Sequence, residues 1–100
     1  MKVKEMSNNA YVITNFETGE TVLQSYNSTV AKILKPVKSD EYLVTLGRHW
    51  DYSVTTLKHV YNFLLEYAPK ELNLLNSRTK KRSIENLIKL GIIQYDEKMV

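Results

Sequence analysis

The stretch Gly47-Arg48-His49-Trp50-Asp51-Tyr52-Ser53-Val54-Thr55-Thr56-Leu57-Lys58-His59 gathers the residue types best suited to recognition or catalysis in this chain of 100 residues. It holds the only Trp and both His, together with cations, hydroxyls and a further aromatic ring. If a helix opens at Ser53, then Thr55, Lys58 and His59 project on its polar side, with Thr56 at the margin. The free N–H groups of a helix start, joined by hydroxyls, an amine and an imidazole, can hold a phosphate or a partner's carboxylate. The competing reading is plainer: Ser and Thr cap the helix, and His59 covers a sheet edge. Arg48-His49-Trp50 has the composition of an anchor that stacks on a base or fills a partner's pocket. Equally, Trp50 folds under the helix and packs on Val54 as a hydrophobic staple.

Catalysis finds little support in these residues. His49, Asp51, Ser53 and His59 are close in sequence, but a nucleophile needs its base and orienting group at defined reach in space. Asp51 and Ser53 are better used as caps. No glycine-rich phosphate loop occurs, and two His ten residues apart with one Asp do not make a metal site. No enzyme activity, cofactor or metal is expected. A second cluster, Arg78, Lys80, Lys81 and Arg82, stands ahead of an apolar-periodic segment. It reads as a solvated helix start or as a contact to nucleic acid. Cations there oppose the helix dipole, which favours an acidic partner.

These groups must be positioned by the elements around them. Residues 1–9 read as a loose leader. Ala10–Thr14 and Thr21–Tyr26 are rich in β-branched and aromatic residues and predict two strands, joined by a turn at Gly19. Thr29–Lys35 admits a helical turn or a strand, and its seven residues before Pro36 favour the strand. A turn over 35–40 and a fourth strand over Glu41–Leu46 follow. From Ser53 to Ala68, Val54, Leu57, Tyr61, Leu64 and Ala68 recur at helical spacing, with Val60, Phe63 and Tyr67 widening the stripe. Residues 70–76 are compatible with a short helix. Ile84, Leu87 and Ile88 predict another, closed by Gly91, and Ile92–Tyr95 a last short strand.

The expected fold is therefore α+β, a small antiparallel sheet of about four strands packed against a long amphipathic helix and followed by shorter C-terminal helices. It forms one domain over 1–100: a leader at 1–9, a β-rich part at 10–47, the main helix at 53–68, and a helical segment with a short strand at 70–95. The 43% hydrophobic and 25% charged content is that of a globular chain. No apolar run approaches the roughly 20 residues of a membrane span, and the first residues lack the core of a secretory signal. A cytoplasmic protein is expected. There is no Cys, so thiolate chemistry and disulfides are excluded. The net charge of +3 permits nucleic-acid binding without demanding it.

Tyr26-Asn27-Ser28-Thr29-Val30-Ala31 and the later Tyr52-Ser53-Val54-Thr55-Thr56-Leu57-Lys58-His59 carry a family likeness. The chain resembles short proteins of phages, prophages and plasmids of Gram-positive bacteria, which share a Y-N-T-x-V-A segment and, after an aromatic, Y-S-x-T-T-x-x-H. Here Ser28 precedes Thr29 and lengthens the bend. The likeness covers about residues 22–65. It implies a mobile-element setting, in which small proteins often block host defences such as CRISPR nucleases and restriction enzymes.

The expectation is a non-enzymatic interaction protein that occludes a host protein, such as a defence nuclease or its nucleic-acid complex. Arg48, Trp50, Tyr52, Thr55, Lys58 and His59 are its contact residues. One alternative is a nucleic-acid-binding accessory protein using Arg78, Lys80, Lys81 and Arg82. Another is a homodimeric or larger structural accessory, with no membrane partner in either case.

Overall fold

Short β-branched runs punctuated by two-residue turns dominate the first half of the chain. The computed structural model describes residues 2–34, 43–69 and 79–99. Strands β1 (Lys2–Ser7), β2 (Ala10–Asn15), β3 (Glu20–Ser25), β4 (Ser28–Leu34) and β5 (Leu43–Gly47) form consecutive antiparallel neighbours. The chain then enters helices α1 (Val54–Tyr67) and α2 (Lys80–Lys89) and returns as β6 (Gln94–Asp96), parallel to β5. A parallel neighbour needs a long crossover, and the two helices lie within it.

This architecture corrects the expected four-stranded antiparallel sheet packed on one long helix. The sheet has six strands and is mixed. The stretch read as a leader is edge strand β1, whose side chains are nearly all exposed. Such a strand shows no alternation in its sequence, because the backbone ladder to β2 defines it rather than burial. At the other end, Ile92 and Ile93 precede the strand that they were expected to form. Gly91, at φ 76°, ends α2 with its N–H donating to Ile88 O at 3.0 Å, while Ile92 N–H reaches Leu87 O at 3.0 Å. That pair of bonds is a Schellman close, and it turns Ile93 into the core. The turn expected over 35–40, the helix-compatible segment 70–76 and Glu41-Tyr42 lie outside the described residues.

Register explains the core. Val12, Leu23, Ala31 and Leu46 stand opposite one another across four strands, with Ile33 against Val44 in the next row. Leu23 pairs with Ala31 but Gln24 with Thr29, so Val30 is the extra residue of a bulge. The bulge buries Val30 and Ala31 together, which is why this strand carried a helix-like pattern. A second bulge at Met6 in β1 lets that side chain pack against the core. Both helices add to the same cluster through Val60, Phe63, Leu64, Ile84 and Leu87. Each such large side chain contributes about 1.5–3 kcal/mol on burial. Lys4, in the Val12 row, reaches Glu66 of α1 at 2.9 Å, so α1 lies over this face of the sheet.

Two hairpin turns meet at one end of that face. Asn8-Asn9 joins β1 to β2, and Tyr26-Asn27 joins β3 to β4. Asn9 (φ 63°) and Tyr26 (φ 56°) take the left-handed conformation, which suits Asn but is costly for Tyr. Tyr26 N–H donates to Asn9 O at 2.8 Å, so one turn holds the other in place.

Candidate functional site

The recognition tract starts at Gly47, where the chain leaves β5 between two other backbones. A Cβ there would stand 2.6 Å from Met99 O and 2.7 Å from Thr29 O, so only glycine fits without displacement. Arg48 N–H donates to Met99 O at 3.0 Å, and Trp50 N–H and Tyr52 N–H close successive turns onto Gly47 O and His49 O, each at 3.1 Å. The turns drive Trp50 inward, to 5% exposure, and Tyr52 outward, to 78%. His49 packs edge-on against Tyr52, centroids 5.6 Å apart. Ser53, in extended backbone, then caps α1 by accepting Thr56 N–H at 3.1 Å.

Helix α1 turns most of its expected apolar stripe inward, with Leu57, Tyr61 and Tyr67 packed against the core, but in its first turns the buried face shifts toward polar residues. Thr56, His59, Val60, Phe63 and Leu64 are buried, whereas Val54 is 85% exposed. The reason is polar: Ser25 at the end of β3 meets two of these residues inside. Its Oγ lies 2.8 Å from His59 Nδ1 and 3.4 Å from Thr56 Oγ1, and Ser53 Oγ lies 3.2 Å from Thr56 Oγ1. Burial pushes the His59 imidazole below its ordinary pKa, helped by nearby Lys58, while a hydrogen bond to the Asn8 backbone pulls the other way. Burial dominates, so the ring is neutral at neutral pH.

Above these groups opens a pocket of about 460 Å³. Ser25, Ser53, Thr56 and Val30 form its inner surface, and Tyr26, Asn27, Ser28, His49 and Tyr52 its rim. Ser25 and His59 stand at the separation of a nucleophile and its base. At 2% and 4% exposure they form a closed contact that ties α1 to β3. Among the described residues no cluster of three or more His, Cys, Asp or Glu could hold a metal ion.

The expected contact residues separate on this frame. Tyr52 is at the pocket rim, and Thr55 and Lys58 lie exposed on α1. Trp50 and His59 are buried, which corrects their assignment to a contact surface: the indole joins the core cluster, and the imidazole is held from beneath by Ser25. A Trp50→Ala change therefore tests folding before it tests binding. Arg48 points to a separate recess with Tyr95, Glu97 and Lys98. In the basic run, Lys80 sits 5.2 Å over the Tyr61 ring, Lys81 pairs with Asp51 at 3.6 Å, and Arg82 is exposed. Arg78 lies outside the described residues. Sequence reasoning missed Ser25, Tyr26, Asn27 and Ser28, which the pairing of distant turns brings to the helix start. The available signal was the Tyr-Asn break between two strands.

No helix among the described residues is long and apolar enough to cross a membrane. No curated protein and no solved structure matches the chain. One family model, Family of unknown function (DUF8033), matches residues 1–85, spanning β1 to the first half of α2, and the chain belongs to that family.

Proposed function

We propose, with that membership as the starting point, that the chain is a non-enzymatic protein that binds and occludes a protein partner through the pocket at the start of α1. The observation that carries this reading is the exposed aromatic rim: Tyr26 at 48% and Tyr52 at 78% flank an open cavity, and Val54 stands exposed next on the chain. Monomeric proteins rarely leave such side chains grouped around a concavity without a use for them. Thr55 and Lys58, on the open side of α1, supply a polar margin. The resemblance to mobile-element proteins supplies the setting, the cytoplasm of a bacterial host, and suggests a defence nuclease as the partner. Nucleic acid is a weaker candidate, since Lys80 and Lys81 make contacts within the molecule.

A photoreactive amino acid at Asn27, on the rim, tests this in host lysate. The expected result is a protein adduct that survives nuclease treatment and is lost when Tyr52→Ala is added. A second copy of the label at Lys32, on the opposite face of the sheet, should give no such adduct. Adducts with nucleic acid alone, or equal capture from both positions, would overturn the reading. For a captured nuclease, addition of the chain should lower its cleavage rate.

A further inference from the structure

We infer that the start of α2, next to the pocket, meets an acidic patch on the protein partner, with Arg82 and Lys58 as the cations that contact its carboxylates. The inference deepens the protein-binding reading and rests on it.

The first turn of α2 carries charges that oppose its own helix. Thr79 is the N-cap, its side chain accepting Arg82 N–H at 3.2 Å. Three residues after such a cap a Glu or Gln suits best, since it bonds back to the cap, and Glu also meets the positive end of the dipole. The chain instead places Lys80, Lys81 and Arg82 there in succession, with no acid in the first turn. Two of these cations have an internal contact that offsets the dipole: Lys80 over the Tyr61 ring and Lys81 on Asp51. Arg82 has none. It is exposed, and its guanidinium makes no ion pair among the described residues, not even with Glu85 one turn on. A local rule broken without an internal gain marks a residue kept for an outside contact.

Packing brings a further cation to this surface. Lys58 stands one turn before Tyr61 on α1, so the contact of Lys80 with Tyr61 sets it beside the start of α2. Lys58 is exposed and also makes no ion pair among the described residues. Asp51, the partner of Lys81, lies between His49 and Tyr52 of the pocket rim, which joins this basic surface to the pocket. Charge then selects the occupant. The guanidinium of Arg82 and the ammonium of Lys58 suit separate carboxylates. A phosphate chain is held by cations in succession. Here Asp51 and Glu85 interrupt them, and the adjoining pocket has no Lys or Arg in its lining. An acidic protein surface beside an uncharged contact matches both parts.

The test uses the full chain with the photoreactive residue at Asn27, in host lysate. Arg82→Glu should lower the yield of the protein adduct about tenfold, the effect of like charges across an interface. The same variant should melt about 2–8 °C higher, because Glu completes the Thr79 capping box and suits the dipole. Lys58→Glu should also lower the yield, and added salt should weaken capture by the wild type more than by Arg82→Gln. Lys89→Glu, the same change of charge in the last turn of α2, should leave the yield unchanged. Full capture by Arg82→Glu, or equal loss with Lys89→Glu, overturns the inference and leaves the protein-binding reading standing. A lower melting temperature for Arg82→Glu overturns it too, since Arg82 would then serve the fold. If Arg82→Glu abolishes binding to duplex DNA and spares the protein adduct, the surface serves nucleic acid and the inference falls. No nuclease-resistant adduct from the wild-type chain overturns the protein-binding reading itself, and this inference with it.

Discussion

His59 shows what a single buried side chain decides. It sits at 4% exposure with one nitrogen on Ser25 and the ring donating to the Asn8 backbone. Its pKa is lowered in the folded chain by burial, against a weaker opposing pull from the Asn8 backbone, with Lys58 adding a still smaller lowering. In the unfolded chain the imidazole titrates near its ordinary value of about 6.5. Above that pH it is neutral in both states, and the Ser25 contact counts in full. As pH falls below about 6.5, the unfolded chain binds a proton that the folded chain refuses, so stability declines until the folded pKa is passed. The slope from this one group cannot exceed about 1.4 kcal/mol per pH unit. Urea midpoints measured from pH 7.5 to pH 5 should therefore fall more steeply for the wild type than for His59→Gln. Parallel curves would show that His59 is not held neutral. At Gly47 the constraint is steric instead. Both oxygens facing its missing Cβ belong to backbone, so neither can swing aside as a side chain would. Gly47→Ala should cost about 1–3 kcal/mol, the usual range for overpacking, read from the denaturation midpoint.

At the scale of elements, helix α1 shows where sequence reading succeeds and where it stops. Its 3.6-residue period, its start at Ser53 and its end before Pro69 were all legible, because capping and amphipathicity are local. Most of the inward face was legible too, since Val60, Phe63, Leu64 and Ala68 are buried as their spacing suggests. The first turns were not: Val54 is exposed, while Thr56 and His59 are buried. That shift depends on Ser25, 31 positions before Thr56, offering a polar contact inside. No local pattern contains this. The edge strands show the reverse case: β1 reads as a leader from its sequence, and β6 is expected to begin two residues earlier, at Ile92. β1 and β6 are stabilised by neighbours' backbones while their side chains remain mostly in water, so hydrophobic periodicity has nothing to register. The recognition tract was visible as a composition, but its pocket was not, since four of the lining residues come from the β3–β4 turn and the strand ends beside it. The exposed start of α1 gives its own prediction. Val54 is a β-branched residue in a first turn that carries no acid. Val54→Glu should raise stability by about 0.3–1 kcal/mol through the helix dipole and better propensity, seen as a higher thermal midpoint that shrinks with added salt.

For the whole molecule, the question is how a tail far along the chain bears on a pocket built near its middle. Residues beyond 85 lie outside the family match, yet they complete the sheet: β6 pairs with Thr45–Gly47 of β5. Met99 then folds back, its N–H on Asp96 O at 3.2 Å and its carbonyl accepting Arg48 N–H at 3.0 Å. The next turns from Arg48 set Trp50 inward and Tyr52 outward. The tail thus clamps the base of the loop that carries His49 and Tyr52 to the pocket rim. A chain truncated after Asp96 keeps every lining residue and every core side chain but loses that clamp. A single backbone bond is worth about 1 kcal/mol net, and Met99 packing against Gly47 adds to it. The truncated chain should therefore unfold about 4–8 °C or more below the full one. Its Tyr52 and Ser53 amides should exchange with solvent faster than those of β2 and β3, which are not neighbours of β6 in the sheet. Partner capture through Asn27 should weaken in step with that loosening. If the truncated chain instead holds its loop and its capture unchanged, then the Ser53 cap and the buried Trp50 are enough to set the rim, and the tail serves the sheet alone.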